Sequence, residues 1–206
     1  MSTRKERLGI YGGTFSPIHC GHVNAARAFL ESMSLDRVLV VPTSIPPHKA
    51  PIEGATAGDR LEMVRLAFDG AGDSKIEACD YEMTQPGKSY TVYTIEHFAV
   101  PERELFMLVG TDMFFTLERW FRAEDIFRLA DIVLMRREND VENFDKIKNQ
   151  RRKLCEEYGA RVYEIDEPPF VISSTELREK LSERSDISGF VPDSVIRYIE
   201  ENNLYR

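Results

Sequence analysis

The stretch LGIYGGTFSPIHCGH, Leu8 to His22, decides how the rest of the chain is read. Leu8, Ile10 and Tyr11 form a short apolar run of the kind that makes a buried strand. Gly12 and Gly13 follow at once, then Thr14, Phe15, Ser16 and Pro17, then His19 and His22. From Val23 to Met33 the composition turns helical, with Ala25, Ala26, Ala28, Phe29 and Leu30 on one face and Arg27 and Glu31 off it. Strand, glycine turn and helix in that order make a cradle where anionic oxygens rest on backbone N–H groups and a helix N-terminus. Paired glycines let the main chain approach a ligand with no Cβ in the way.

His19 and His22 stand one helical turn apart, so both imidazoles can donate into the space above that turn. A metal site with Cys20 is the competing reading. Zinc normally takes three or four ligands, and no His/Cys cluster appears elsewhere to complete a set. Phosphate chemistry is therefore expected, with no protein-bound metal. The segment His19-Cys20-Gly21-His22 resembles the His-x-Gly-His signature of the nucleotidyltransferase superfamily of adenylyl- and cytidylyltransferases. That resemblance implies a histidine pair stabilising charge on an α-phosphate while pyrophosphate leaves.

Composition narrows the partners. The 206 residues suit one sizeable domain, and 42% hydrophobic with 30% charged residues is ordinary for a globular protein. A net charge of −8 argues against general nucleic-acid binding, so an anionic substrate needs a local basic pocket. Three scattered cysteines imply no disulfide framework. The polar opening MSTRKER shows no signal peptide, and no run approaches the roughly 20 apolar residues of a membrane span. A cytoplasmic protein is expected.

Going outward along the chain, Arg37 to Pro42 reads as a second buried strand. The following loop holds Pro46, Pro47 and Pro51, which stiffen it around His48 and Lys49. A loop leaving the carboxyl end of a parallel strand lies where open α/β sheets bind ligands, and Lys49 suits a phosphate as a point charge. The plain alternative is a solvated lysine. Asp59 to Phe68 reads as a helix opening with Asp-x-x-Glu, and Ile76 to Tyr81 as a weakly marked strand. Val92 to Phe98, Phe114 to Trp120 and Ala123 to Leu129 read as helices. Glu104 to Val109, Ile132 to Met135 and Arg161 to Ile165 read as strands. Alternation of this kind predicts an α/β fold: a Rossmann-like, doubly wound parallel sheet with helices on both faces. The basic run Lys146 to Lys153 falls within a helical pattern over Asn143 to Tyr158 and reads as a solvated face rather than a nucleic-acid patch.

A second cluster is Ile172-Ser173-Ser174-Thr175-Glu176-Leu177-Arg178. Ser173 and Glu176 fit a capping box, which puts Ser174 and Thr175 in the first turn of a helix. Free N–H groups there favour anions, and Arg178 lies one turn along the same face. An ordinary capped helix with a surface arginine is the alternative. Two phosphate grips in one α/β domain suit a nucleoside triphosphate. Val191 to Tyr205 closes as a helix with Val195, Ile196, Ile199 and Leu204 as its packing face.

The segments GGTFSPIHCGH, PPHK, RLEMVRLAF, KSYT, GTDMFFTLERW, ISSTELR and VPDSVIRYIEENNLYR resemble, in order and spacing, the bacterial nicotinate-nucleotide adenylyltransferase family. The resemblance runs from about Leu8 to Arg206. It implies a single nucleotidyltransferase domain over 1–206, with a helical part from about 173 packed on it. It implies AMP transfer from ATP, with Mg²⁺, to nicotinate mononucleotide. Carried over residue by residue, Gly13, Thr14, Phe15, His19 and His22 line the triphosphate path. Ser174, Thr175 and Arg178 hold the β- and γ-phosphates, with the Ile172 main chain near adenine and Asp112 at the ribose or metal-phosphate region. Lys49 binds the mononucleotide phosphate, with His48 beside it in the mononucleotide site. Main-chain N–H groups of Thr91 and Phe121 grip the nicotinate carboxylate, and Trp120 stacks on the pyridine ring. A core aromatic is the other reading of Trp120. The chain departs from the family at Ser16, where aspartate is usual, and altered affinity is the expected consequence.

Catalysis with these groups is positioning plus electrostatic stabilisation, since the attacking phosphate oxygen is already ionised and needs no general base. The partners expected are small-molecule substrates, with no nucleic acid or membrane and with a homo-oligomer left open. The rival readings are a nicotinamide-mononucleotide or pantetheine-phosphate adenylyltransferase, a non-catalytic ATP-binding module, and a dinucleotide oxidoreductase. The last is disfavoured because Gly-x-Gly-x-x-Gly is absent after the first strand.

Overall fold

The computed structural model describes residues 4–46, 54–69, 74–136, 143–166 and 172–206. The chain opens with β1 (Glu6–Gly13), α1 (Cys20–Ser32), β2 (Arg37–Pro42), α2 (Ala57–Phe68) and β3 (Ile76–Ala78). It continues through α3 (Tyr81–Thr84), α4 (Thr91–Phe98), β4 (Arg103–Gly110), α5 (Thr111–Phe114), a 3₁₀ turn (Leu117–Arg119), α6 (Ala123–Leu129) and β5 (Ala130–Arg136). It ends with α7 (Phe144–Tyr158), β6 (Val162–Asp166), α8 (Ser174–Ser182) and α9 (Asp193–Glu201).

The strands form one sheet in the order β3-β2-β1-β4-β5-β6, and every neighbouring pair is parallel. The continuous apolar runs explain why. A parallel strand covered on both faces sends alternate residues into two cores. Val38, Val40, Phe106, Leu108 and Val133 enter one core with Phe29 of α1, Met63 of α2, Leu177 of α8 and Val195 of α9. Leu39, Val41, Leu105, Met107 and Ile132 enter the other with Ile95 of α4, Phe127 of α6 and Leu154 of α7. This is the doubly wound α/β architecture that the alternation predicts.

From β1 the chain winds outward through β2 and β3, then returns to the other side of β1 as β4. The strand order reverses between β1 and β4, and ligands of open α/β sheets bind at the carboxyl ends there. The strands all end at that edge, in Gly13, Pro42, Ala78, Gly110, Arg136 and Asp166.

Several local expectations are corrected. Helix α1 starts at Cys20 rather than Val23. The capping box of α2 is Thr56 with Asp59 rather than a start at Asp59: Asp59 N–H donates to Thr56 Oγ1 at 3.1 Å, and Thr56 N–H to Asp59 Oδ2 at 2.8 Å. The strand expected over Ile76 to Tyr81 stops at Ala78, because it is an edge strand paired only with β2, and Tyr81 already begins α3. The helix expected over Phe114 to Trp120 breaks at Thr116, whose hydroxyl bonds Met113 O at 3.0 Å and competes with the helical pattern. At the far end α9 stops at Glu201 rather than running to Tyr205; Leu204 packs on the core as expected, and Tyr205 is more deeply buried still.

Candidate active site

Gly12 and Gly13 are the last residues of β1, so the glycines end the strand and the turn itself is Thr14 to Pro17. This corrects the expected glycine turn. A Cβ on Gly13 would come within 2.7 Å of the Phe15 ring, so the close approach it permits is internal. Phe15 takes the left-handed conformation, φ 47°, with its side chain buried. Such a backbone costs about 1–3 kcal/mol for a non-glycine residue and survives only where its surroundings over-determine it. Phe15 can thus offer a triphosphate only its main chain.

The surroundings are specific. Arg60 Nη1 donates to Thr14 O at 2.8 Å and its Nη2 to Ser44 O at 3.2 Å. Arg178 Nη1 donates to Ser16 O at 2.8 Å, and Ser174 Oγ to Pro17 O at 3.1 Å. Ser16 Oγ lies 3.0 Å from the Tyr205 hydroxyl. The carbonyls of the turn are therefore drawn toward the protein. A trans peptide sets its C=O and the next N–H on opposite sides, so the Phe15 N–H is aimed away from Arg60.

His19 is the N-cap of α1 and His22 its third residue. Their rings stack with centroids 3.7 Å apart, and the Phe15 ring meets His22 edge-on at 5.1 Å. His22 Nδ1 accepts the His19 backbone N–H at 3.3 Å. In neutral His22 the ring proton is then on Nε2, the nitrogen pointing away from its own backbone. The structure thus gives His22 the tautomer of a hydrogen-bond donor.

Helix α8 begins as the sequence predicts. Ser173 caps it, accepting from Glu176 N–H at 3.2 Å, while Glu176 Oε2 accepts the Ser173 N–H at 2.7 Å. Ser174 and Thr175 occupy the first turn, whose N–H groups have no intrahelical acceptor. The bonds from Ser174 and Arg178 to the 14–17 turn join segments 157 and 162 positions apart. The two segments that the sequence offers as phosphate grips meet in one surface. Arg178 also holds Ser174 O at 3.1 Å and Thr175 Oγ1 at 3.1 Å, so it fastens the two grips together.

Of the other expected residues, those that the structure describes lie on the same sheet edge or near it. Asp112 is exposed in the first turn of α5, directly after β4. Ile172 is half-buried against the core just before the Ser173 cap. Thr91 is the first residue of α4. Phe121 is exposed and packs on Tyr90, centroids 4.6 Å apart, which brings it to the N-terminus of that helix. Trp120 is half-buried, its Nε1 donating to Thr116 Oγ1 at 3.4 Å. His48 and Lys49 lie outside the described residues. Among the described residues no group of three or more His, Cys, Asp or Glu side chains is placed to hold a metal ion. A cavity of about 510 Å³ beside α3 and α4, lined by Glu82, Ser89, Tyr90, Tyr93 and His97 among others, takes in neither His19 nor His22.

Comparison with known proteins decides between relatives of this fold. The family model described as cytidylyltransferase-like matches residues 10–180. A Clostridium kluyveri protein named "Probable nicotinate-nucleotide adenylyltransferase" is 36% identical over 203 residues, covering 97% of this chain and 99% of its own. A Desulfatibacillum aliphaticivorans protein of the same name is 36% identical over 216 residues, with coverage of 97% and 99%. The chain belongs to the nicotinate-nucleotide adenylyltransferase family. Its fold is also that of the Plasmodium falciparum nicotinic acid mononucleotide adenylyltransferase solved with NaAD, at TM-score 0.77, 20% identity and 97% coverage of each chain.

As a member of the nicotinate-nucleotide adenylyltransferase family, the chain carries two site residues that sequence reasoning missed. Arg60 is 2% exposed, and its signal was visible: an arginine on the buried stripe of α2, four residues before Val64 and seven before Ala67. Tyr205 gave no local signal, since its partner Ser16 is 189 positions away.

Proposed function

We propose that the protein transfers the AMP group of ATP to nicotinate mononucleotide, forming deamido-NAD and pyrophosphate in NAD biosynthesis. The observation that carries this reading is the junction of the 14–17 turn with the start of α8 through Ser174 and Arg178. Two helix N-termini, two histidines and an arginine then face one stretch of the sheet edge, which suits a triphosphate. Charge on an overall acidic protein is thereby made locally favourable for anions.

An oxygen of the mononucleotide phosphate attacks the α-phosphorus, and the bond from that phosphorus to the oxygen bridging to the β-phosphate breaks. Pyrophosphate leaves with the bonding electron pair. A phosphate monoester is largely dianionic at neutral pH, so no side chain has to remove a proton, and no covalent enzyme intermediate forms. His22 Nε2–H and His19 stabilise the charge developing on the α-phosphate. The main chain of Gly13, Thr14 and Phe15 lines the path. Ser174, Thr175 and Arg178 meet the β- and γ-phosphates, the Ile172 main chain meets adenine, and Asp112 faces the ribose or the metal-phosphate region. Mg²⁺ comes as part of the substrate, on the triphosphate. Lys49 and His48 take the mononucleotide phosphate, Thr91 and Phe121 N–H groups the carboxylate, and Trp120 the pyridine ring. Among the described residues no helix is long and apolar enough to cross a membrane, and a cytoplasmic location fits the reading.

The test is pyrophosphate release at saturating ATP with nicotinate mononucleotide, nicotinamide mononucleotide and pantetheine phosphate side by side. The highest kcat/KM is expected for the nicotinate acceptor. Release with none of them would reduce the protein to an ATP-binding module, and preference for either other acceptor would reassign it.

A further inference from the structure

Tyr205 is 6% exposed and lies beyond the last turn of α9 with φ 60°, a left-handed backbone that tyrosine rarely adopts. Its N–H donates to Gly54 O at 3.1 Å. Gly54 is itself left-handed, φ +87°, and a Cβ there would come within 2.8 Å of the Tyr205 ring and 3.1 Å of its Cα. The backbone bond, and the room left by the missing Cβ at Gly54, let the ring seat directly over that glycine and fix where it goes. The ring carries its hydroxyl to Ser16 Oγ at 3.0 Å, in the middle of the 14–17 turn, where Ser16 is 1% exposed. Packing alone would be served by phenylalanine. A buried hydroxyl needs a partner, and here each of the two hydroxyls supplies the other.

We propose that Tyr205 is a positioning residue for the AMP transfer: anchored by its backbone bond to Gly54, it holds the triphosphate turn in register through Ser16. The proposal rests on the functional reading above. Arg60 and Arg178 hold the carbonyls on either side of Phe15, at Thr14 and Ser16, and Tyr205 holds the buried Ser16 hydroxyl. Burial pushes the Tyr205 hydroxyl up to about 12, against the pull of Ser16, Arg60 and Arg178, so it stays a neutral O–H at any working pH. The bond to Ser16 is thus a permanent part of the site rather than a switch.

The experiment is a double-mutant cycle with Tyr205→Phe and Ser16→Ala, assayed for dinucleotide formation well below the unfolding midpoint. Tyr198→Phe serves as control, because the Tyr198 hydroxyl bonds Asp59 at 3.0 Å and not the turn. Each member of the cycle should lose about 5- to 20-fold in kcat with KM for ATP within about twofold, as expected for a small misplacement of reacting groups. The double variant should lose no more than either single one, because both delete the same bond. Tyr198→Phe should keep wild-type kcat at a comparable drop in melting temperature. If Tyr205→Phe does not fold, Ser16→Ala alone carries the test. Wild-type kcat in folded Tyr205→Phe or Ser16→Ala, or multiplicative losses in the double variant, would overturn the proposal. An inactive wild-type protein would instead sink the functional reading itself.

Discussion

Replacing Arg60 with methionine tests how the turn is held. The substitution keeps the apolar stem that fills the site and removes the guanidinium. Two donors are lost, one to Thr14 O and one to Ser44 O, and both acceptors stay behind. Hydrogen bonds to charged groups contribute about 1.5–3 kcal/mol each, and two of them are lost here. The buried Glu82 also loses the positive charge that draws its carboxyl back toward the ordinary range. A loss of about 3–5 kcal/mol out of a total of about 5–15 is expected. At a urea dependence of about 2 kcal/mol per molar, the unfolding midpoint followed by circular dichroism falls by about 1.5–2.5 M. Turnover of the folded fraction should also fall, about tenfold or more, since the Phe15 N–H is no longer aimed. Arg60→Lys should land between, because one ammonium cannot span both carbonyls. A midpoint within about 0.5 M of wild type together with unchanged turnover would refute the reasoning.

His22→Ala should lower kcat by about 10²-fold or more while the circular dichroism spectrum stays that of the folded protein, the scale set by loss of one transition-state donor; unchanged kcat removes the histidine from the reaction. Glu82 is 9% exposed, accepts from Thr94 Oγ1 at 2.9 Å, and has its carboxyl raised chiefly by burial. A raised value means the folded state binds the proton more tightly than the unfolded chain, so this contribution is full below the ordinary glutamate range and fades as pH rises through the folded value. Melting curves of Glu82→Gln should therefore gain on wild type as pH rises, and parallel curves would contradict the assignment. Trp120→Ala should raise KM for nicotinate mononucleotide about tenfold with KM for ATP unchanged, the scale of one lost aromatic stack; equal effects on both substrates would return Trp120 to a packing role.

What the sequence made legible follows from how local each signal was. Buried parallel strands are continuous apolar runs, so Arg37 to Pro42 and Glu104 to Val109 could be read with no knowledge of their neighbours. The Ser173–Glu176 box was equally local and starts α8 as expected. At α2 the same logic chose Asp59 as the opening residue, although Thr56 stood three positions earlier with Asp59 as its reciprocal partner. The turn after β1 was misassigned for a deeper reason. Glycine is the usual residue where a chain bends sharply, so Gly12-Gly13 attracted the bend. The bend falls on Phe15, a residue with no preference for it, because Arg60, Ser174, Arg178 and Tyr205 converge on the turn from remote parts of the chain. Long-range restraint of this kind leaves no local trace. The meeting of the two phosphate grips could be argued only from the chemistry they share.

The most direct measurement is a single-turnover quench with enzyme in excess over ATP labelled at the α-phosphate, in the presence of nicotinate mononucleotide. The account predicts that the label moves from ATP into the dinucleotide in one step, with an equal amount of pyrophosphate and no label on acid-precipitated protein. Label on the protein, or pyrophosphate released without dinucleotide, would contradict it.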